Sequence, residues 1–383
     1  MEQSAPDKLL FTPGPLTTSA TVKRAMLRDL GSLDEEFLAR IRAIRLRLLA
    51  LGPYPYEDYE CILMQGSGTF VVESVISTAI PRGGRLMVLV NGAYGRRIAQ
   101  IARIHGIDVD LFELPENRRF TVDLVRERLR QVQGITHVAV VHCETTSGIL
   151  NEVEAIGRVV RDVGCGYIVD AISSFGAIPI DMIGANIGFL IASANKCIEG
   201  VPGFGFIVIN RRALHAAKGN ARTLSLDFYD QWDGMEADGH FRFTPPIQVL
   251  LAFEQALNEL DEEGGIEARG ERYRSNHETL CRGMTSLGFR VFLAPEDQSF
   301  IITSFDYPSD PKFQFTEFYE RLWRRGFAIY PGKLSQHACF RIGTIGSITT
   351  VEIEALLGAI ELVLQEMEIS MTGEPGGQAS DGR

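Results

Sequence analysis

Lysine is scarce in this chain: of thirty-eight basic residues only Lys8, Lys23, Lys196, Lys218, Lys312 and Lys333 are lysines. The six cysteines, at 61, 143, 165, 197, 281 and 339, form no CxxC pair. Neither zinc-ribbon nor thioredoxin-like chemistry is therefore expected. The seven histidines show no HxH or HExxH spacing, so no metal site is expected. No run of about 18 uninterrupted apolar residues exists to span a bilayer. The opening MEQSAPDKLLFTPGP has no basic region followed by an apolar one, which argues against a secretory leader. A soluble cytoplasmic protein with free thiols, without membrane attachment, is the expectation. Acidic residues outnumber basic ones, forty-nine to thirty-eight, for a formal charge of −11. That argues against a nucleic-acid binder, which normally presents a basic face. It does not exclude a small anionic ligand, because local fields need not follow net charge.

What is present is an ordinary globular composition, 45% apolar and 23% charged over 383 residues, which suggests two or three domains. Strands are expected at Leu86–Val90, Val138–Val141, Tyr167–Val169, Phe189–Ala192 and Phe206–Ile209. Their near-continuous apolar character is that of strands covered on both faces, as in a largely parallel sheet. Helical patterns at Arg96–His105 and Val153–Val163 lie between them, closed by Gly106 and Gly164. This alternation is α/β grammar. Beyond about Ala256 a long polar helix, Gly265 to Leu287, leads to strand candidates Phe289–Leu293 and Phe300–Phe305. Helices around Phe315–Arg325 and Thr350–Met367 complete a second unit of α+β type. The final MTGEPGGQASDGR is expected to be disordered.

Lys196 stands at the end of an apolar strand in GFLIASANKCIEGVPG. A lysine there pays desolvation for its ammonium, which lowers its pKa. The free amine that results is what attacks a carbonyl in Schiff-base chemistry. The plainer possibility is a lysine reaching from a strand end to solvent; Gly200, Gly203 and Gly205 favour close backbone approach around it. Asp170 ends the strand YIVDA. It either caps a turn or joins Lys196 at the carboxyl ends of neighbouring strands, where open α/β sheets bind ligands. A carboxylate facing a protonated pyridine nitrogen and a lysine holding an aldehyde carbon together suit pyridoxal 5′-phosphate. Gly66, Ser67, Gly68 and Thr69 precede a helical pattern, and a helix N-terminus with two hydroxyls can hold a phosphate. The same residues also make a commonplace cap. Neither the Walker A pattern nor the dinucleotide fingerprint fits. Ser193 offers another hydroxyl.

At this point the residues resemble a family. TPGP, GSGT, NGAYGRR, HCETTSGIL, VDAISSFG, SANKCIEGVPG, FTPP and FRIGTIG occur in that order. Together they resemble the class V aminotransferases of pyridoxal-phosphate fold type I, over nearly the whole chain from about Leu9 to Glu368. The resemblance implies a large domain with a mainly parallel seven-stranded sheet and a smaller C-terminal α+β domain. The expected division is an N-terminal segment 1–20 over the active site, a cofactor-binding domain 21–255, a small domain 256–370 and a disordered tail 371–383. It implies that Lys196 carries the cofactor and later moves the proton, that Asp170 bonds the pyridinium nitrogen, and that Tyr94 stacks on the ring. Thr146 would bond the ring 3-oxygen. Ser67, Gly68, Thr69 and Ser193 would cradle the phosphate, with Thr244 reaching in from the partner subunit of a homodimer. Arg341 would bind the acidic end of the substrates. Within the class, the closer likeness is to the branch acting on 2-aminoethylphosphonate and pyruvate, giving phosphonoacetaldehyde and L-alanine in phosphonate catabolism. An alanine or serine aminotransferase using glyoxylate or pyruvate is the near alternative, and a non-catalytic binding module on this scaffold the remote one.

Arg341 also makes sense from its surroundings. In the apolar segment CFRIGTIG a guanidinium needs an anionic partner, and its fork suits carboxylate and phosphonate. The alternative is a structural ion pair with an acid at a domain interface. His142, at a strand end, is expected to be a satisfied core histidine, and Cys197 a packing residue. A desulfurase of this fold would need its cysteine on a mobile C-terminal loop; Cys281 in HETLCRGM and Cys339 beside Arg341 do not fit. Phe228–Pro246 reads as a long aromatic loop, either inter-subunit or a surface excursion. Ile247 and Gln248 depart from the family pattern. Thr12–Thr18 is expected to cover the substrate.

Overall fold

The computed structural model describes residues 7–332, 334 and 337–371. Its central sheet orders seven strands as Tyr59–Gly66, Gly203–Asn210, Phe189–Ser193, Gly166–Asp170, Ile135–Val141, Arg85–Val90 and Asp108–Glu113. Gly203–Asn210 runs antiparallel to both neighbours, and the remaining adjacent pairs are parallel. Successive side chains of a strand point to opposite faces, and here both faces are dry. Met87, Leu89, Val138 and Val140 enter one apolar cluster, while Leu86, Val88, Ala139 and Val141 enter the other. No polar side is left, so these strands read as unbroken apolar runs.

Helices cross between the strands. Gly68–Ala79, Ala93–Ile104 and Val153–Asp162 are three of them. The last two are followed by Gly106 (φ 66°) and Gly164 (φ 71°), the left-handed residues that end helices cleanly. Beyond them, the 22-residue helix Gly265–Ser286 packs with Thr350–Glu366, whose start is fixed by a reciprocal cap between Thr349 and Glu352. A three-stranded antiparallel sheet, Ile302–Asp306, Cys339–Gly343 and Tyr330–Pro331, shares an aromatic core with Phe289, Phe318 and Phe340. Leu9–Leu10 pairs in parallel with Phe327–Ala328, which leads the following residues toward the large sheet. Among the described residues no helix is long and apolar enough to cross a membrane.

Two expectations need correcting. Phe289–Leu293 is not a strand, for only Val291 bridges to Phe305. Gly288 (φ 92°) turns the chain and the Phe289 N–H bonds back to Met284 O, which uses the first residue to close the helix and leaves only the Phe292 N–H to Ser304 O and Asp306 N–H to Arg290 O bonds alongside the neighbouring strand. Phe228–Pro246 is not one loop. Asp227 accepts from the Tyr229 and Asp230 N–H groups and starts a helix over Phe228–Ala237, with Phe228, Tyr229 and Met235 buried; only the rest of the segment is irregular. The expected break at 255/256 falls inside the helix Ile247–Glu263. Residues 1–6 and, of the expected tail, 372–383 lie outside the described residues.

Candidate active site

The parallel strands place their carboxyl ends around one cavity of about 180 Å³. Ser67, Gly68, Thr69, Tyr94, Asp170, Ser193 and Lys196 all line it, although they come from four separate stretches of chain. A larger cavity of about 640 Å³ opens at the amino ends of the parallel strands and holds none of these residues. Chemistry rather than size selects between them, and the carboxyl end is where ligands bind in such sheets.

Asp170 is the last residue of its strand and only 5% exposed. Its Oδ1 accepts from the Ile172 N–H at 3.0 Å. Burial pushes its carboxyl up to about 7. Lys196 follows the adjacent parallel strand Phe189–Ser193 after Ala194 and Asn195. Burial brings its ammonium down to about 8, against the pull of Cys197 and Asp170, and Nζ donates to the Pro13 carbonyl. The Thr12–Thr18 segment thus lies directly over the lysine. The glycines around Lys196 are sterically required. A Cβ at Gly200 would stand 2.7 Å from Ala194 O, and one at Gly205 would stand 2.7 Å from Ala192 O.

Ser67 is the N-cap of Gly68–Ala79, yet its hydroxyl makes no capping bond. It lines the cavity at a helix N-terminus, where anions bind. Thr69 Oγ1 accepts from Arg97 Nη1 at 3.1 Å, and the Arg97 guanidinium lies 4.9 Å from the Tyr94 ring centroid. Ser193 Oγ donates to Asn195 Oδ1 at 2.6 Å. A buried carboxylate with a single backbone partner, a depressed lysine and a free hydroxyl at a helix N-terminus fit the ring nitrogen, aldehyde and phosphate of pyridoxal 5′-phosphate respectively.

The remaining candidates lie elsewhere. Thr146 is buried but does not line the cavity; its Oγ1 accepts from the Ala93 N–H at 2.9 Å and donates to Glu144 Oε1 at 2.5 Å. Arg341, on Cys339–Gly343, is buried too. Nη1 donates to Thr145 O at 2.6 Å and Nε to Pro331 O at 3.0 Å. Burial lowers its pKa, its charge is felt at Lys196, and among the described residues it forms no ion pair. Thr244 is exposed and its carbonyl accepts from Gln65 Nε2 at 3.3 Å, so its own chain does not bring it into the cavity. His142 bonds Ser174 Oγ at 2.9 Å and is pulled down to about 4 by burial; it is a neutral core residue. The Cys197 thiol points at Ser173 O, 3.2 Å away, and burial raises its pKa. Cys281 sits on a helix and Cys339 is buried on a strand. Arg97, Asn195 and Glu144 were not singled out beforehand. Arg97 lies in NGAYGRR and Glu144 in HCETTSGIL, and membership of those motifs is the signal the sequence offers for them.

The family described as aminotransferase class-V matches residues 22–335. A 2-aminoethylphosphonate–pyruvate transaminase of Phocaeicola vulgatus is 49% identical over 357 residues, 93% of this chain and 98% of the relative. One of Syntrophobacter fumaroxidans is 50% identical over 352 residues, 92% of this chain and 95% of the relative. Among solved structures, pyridoxamine–pyruvate aminotransferase from Mesorhizobium loti superposes with a TM-score of 0.87 at 22% identity, over 97% of this chain and 95% of that one. The last likeness bears on the fold.

Proposed function

The chain belongs to the class V aminotransferase family, and on that premise we propose that it transfers the amino group of 2-aminoethylphosphonate to pyruvate, giving phosphonoacetaldehyde and L-alanine. The observation that carries this reading is the buried Asp170 ending one strand and the half-buried Lys196 just beyond the adjacent parallel strand, both lining one cavity together with Ser67 at a helix N-terminus. The transaminase relatives near half identity support the substrate pair.

Bound pyridoxal 5′-phosphate supplies an aldehyde carbon to which amines add and a ring that takes up the electron pair of a broken C–H bond. With its ammonium brought down to about 8, Lys196 presents a substantial fraction of neutral amine near pH 7–8. Its Nζ would hold the aldehyde carbon and, once freed by a substrate amine, would serve as the base that carries the substrate proton. Asp170 holds the proton on the ring nitrogen; the cation opposite it would restore the ionised carboxylate that burial now disfavours. Tyr94 covers the ring face. Ser67, Gly68, Thr69 and Ser193 hold the phosphate, with Thr244 of the partner subunit. Thr146 would donate to the 3-oxygen by turning its hydroxyl proton away from Glu144 Oε1. Arg341 clamps phosphonate and carboxylate in turn, trading its backbone acceptors for an anion, and Thr12–Thr18 excludes water. The homodimer, the division into large and small domains, and a cytoplasmic location supported by six free cysteines belong to the same proposal.

The test is the absorbance spectrum of the pyridoxal-phosphate-saturated protein before and after 2-aminoethylphosphonate, with no keto acid present. The visible band should fall and the amine-form band rise. Bleaching by alanine or serine but not by the phosphonate would leave fold and cofactor standing and overturn the donor. Absence of any visible band would overturn Lys196.

A further inference from the structure

Glu144 is a fully buried carboxylate beside the cavity with no part in the mechanism above. Its Oε2 accepts from the N–H groups of Tyr94 and Gly95, at 3.1 and 3.2 Å, in the first turn of Ala93–Ile104. Its Oε1 accepts from Thr146, the N–H at 3.2 Å and the hydroxyl at 2.5 Å. Between them, Thr145 gives its carbonyl to Arg341 at 2.6 Å. Three consecutive residues therefore fasten the helix that presents Tyr94, the hydroxyl of Thr146 and the guanidinium of Arg341.

A second observation is independent of those bonds. A Cβ on Gly92 would stand 2.3 Å from both Cγ and Cδ of Glu144. The backbone of Gly92 (φ 174°) is extended, so glycine is needed there for space alone. The chain gives up a side chain in NGAYGRR to seat the carboxylate under the helix start. Burying a carboxylate is costly without partners, and here four donors converge on it while the helix N-terminus adds its positive end.

We propose that Glu144 is a positioning residue of this site: acting through Tyr94, Thr146 and the Thr145–Arg341 bond, it sets the cofactor-stacking ring and the substrate-binding arginine in register with each other. The inference rests on the roles given above to Tyr94 and Arg341. It differs from plain helix capping in what it predicts, because a cap stabilises the fold without touching the optical or kinetic behaviour of the loaded site.

The experiment compares the wild-type protein with Glu144→Gln and Gly92→Ala, each loaded with pyridoxal 5′-phosphate. Glutamine keeps the shape, but its amide donors face backbone donors, so one N–H loses its acceptor. Gly92→Ala keeps the charge and displaces it. Both variants should weaken the visible circular dichroism of the bound cofactor. Both should also raise KM for 2-aminoethylphosphonate and pyruvate together by about tenfold, within the roughly 10²-fold that a 1 Å misplacement can cost. If Tm falls while the dichroism and both KM values stay within about twofold of wild type, Glu144 is a cap and the proposal is overturned. Should Glu144→Gln fail to fold, Gly92→Ala decides on the same criteria. A wild-type protein that the phosphonate does not bleach would sink the functional reading instead; dichroism and the Kd for pyridoxal 5′-phosphate would still decide on Glu144.

Discussion

Three residues carry the proposed chemistry, and each is an ionisable group placed where charge is expensive. Lys196→Ala removes both the nucleophile and the proton carrier. Borohydride reduction should then leave no cofactor mass on the protein, and turnover should fall by at least about 10²–10⁴, the usual worth of a general base. A retained adduct would reject the assignment. Asp170 makes a different prediction, about stability. Its folded value of about 7 lies above the ordinary unfolded value of roughly 3.9. The folded state therefore favours the protonated form, and the stability this contributes is complete below about pH 4 and lost as pH rises through about 7. The cofactor-free protein should lose Tm across that window, and Asp170→Asn should flatten the loss; parallel melting curves for the two proteins would contradict the carboxyl's assigned environment. Arg341→Ala should raise KM for both acids by about 10- to 100-fold, the worth of hydrogen bonds to a charged group. Loss of affinity for only one acid would refute a shared site.

At the scale of elements, what is legible from sequence is what depends on one segment at a time. The strands around Leu86–Val90 and Val138–Val141 announce themselves because both of their faces are buried. Lys196 and Asp170 stand out because a charged residue ends an apolar run. What depends on contacts between segments does not announce itself. Tyr229 and Met235 hide a helix behind aromatic and polar texture, and Phe289 opens an apparent strand although its N–H is already bonded back to Met284 O. Glu144, on the short strand Cys143–Glu144, has meaning only against Tyr94 and Gly95 at the start of a helix, and the direction of the Thr146 proton follows from it. Glycines record such contacts too. At Gly205, on the strand Gly203–Asn210, a Cβ would stand 2.6 Å from Val71 Cγ2 of the helix that Ser67 caps. Gly205→Ala should therefore cost about 1–3 kcal/mol, the price of overpacking a dense core, and weaken pyridoxal 5′-phosphate binding by moving the helix start. Chemical denaturation and a cofactor titration check both; a variant as stable and as tight as wild type would show that the helix does not bear on the strand.

The whole molecule matters because the site within one chain is incomplete on this reading. Gln65, two residues before Ser67, donates from Nε2 to the carbonyls of Phe243 and Thr244. That segment therefore lies beside the rim of the cavity, while Phe243 remains 44% exposed and Thr244 is exposed as well. A two-fold axis passing near the rim would turn this exposed stretch toward the neighbouring cavity and exchange the two Thr244 residues reciprocally, as isologous interfaces do. The consequence is measurable in mixed dimers. In a dimer of one Lys196→Ala subunit and one Thr244→Ala subunit, the first cavity lacks its lysine and faces the altered Thr244. The second keeps its own Lys196 and receives the unaltered Thr244 from its partner. Differently tagged subunits, purified as the heterodimer, should then show about half the turnover of the wild-type dimer, while both homodimeric variants remain impaired. If Thr244 served its own chain, neither cavity of the heterodimer would be whole and its activity would not exceed the average of the two variants. A fully active Thr244→Ala homodimer would remove Thr244 from the site altogether.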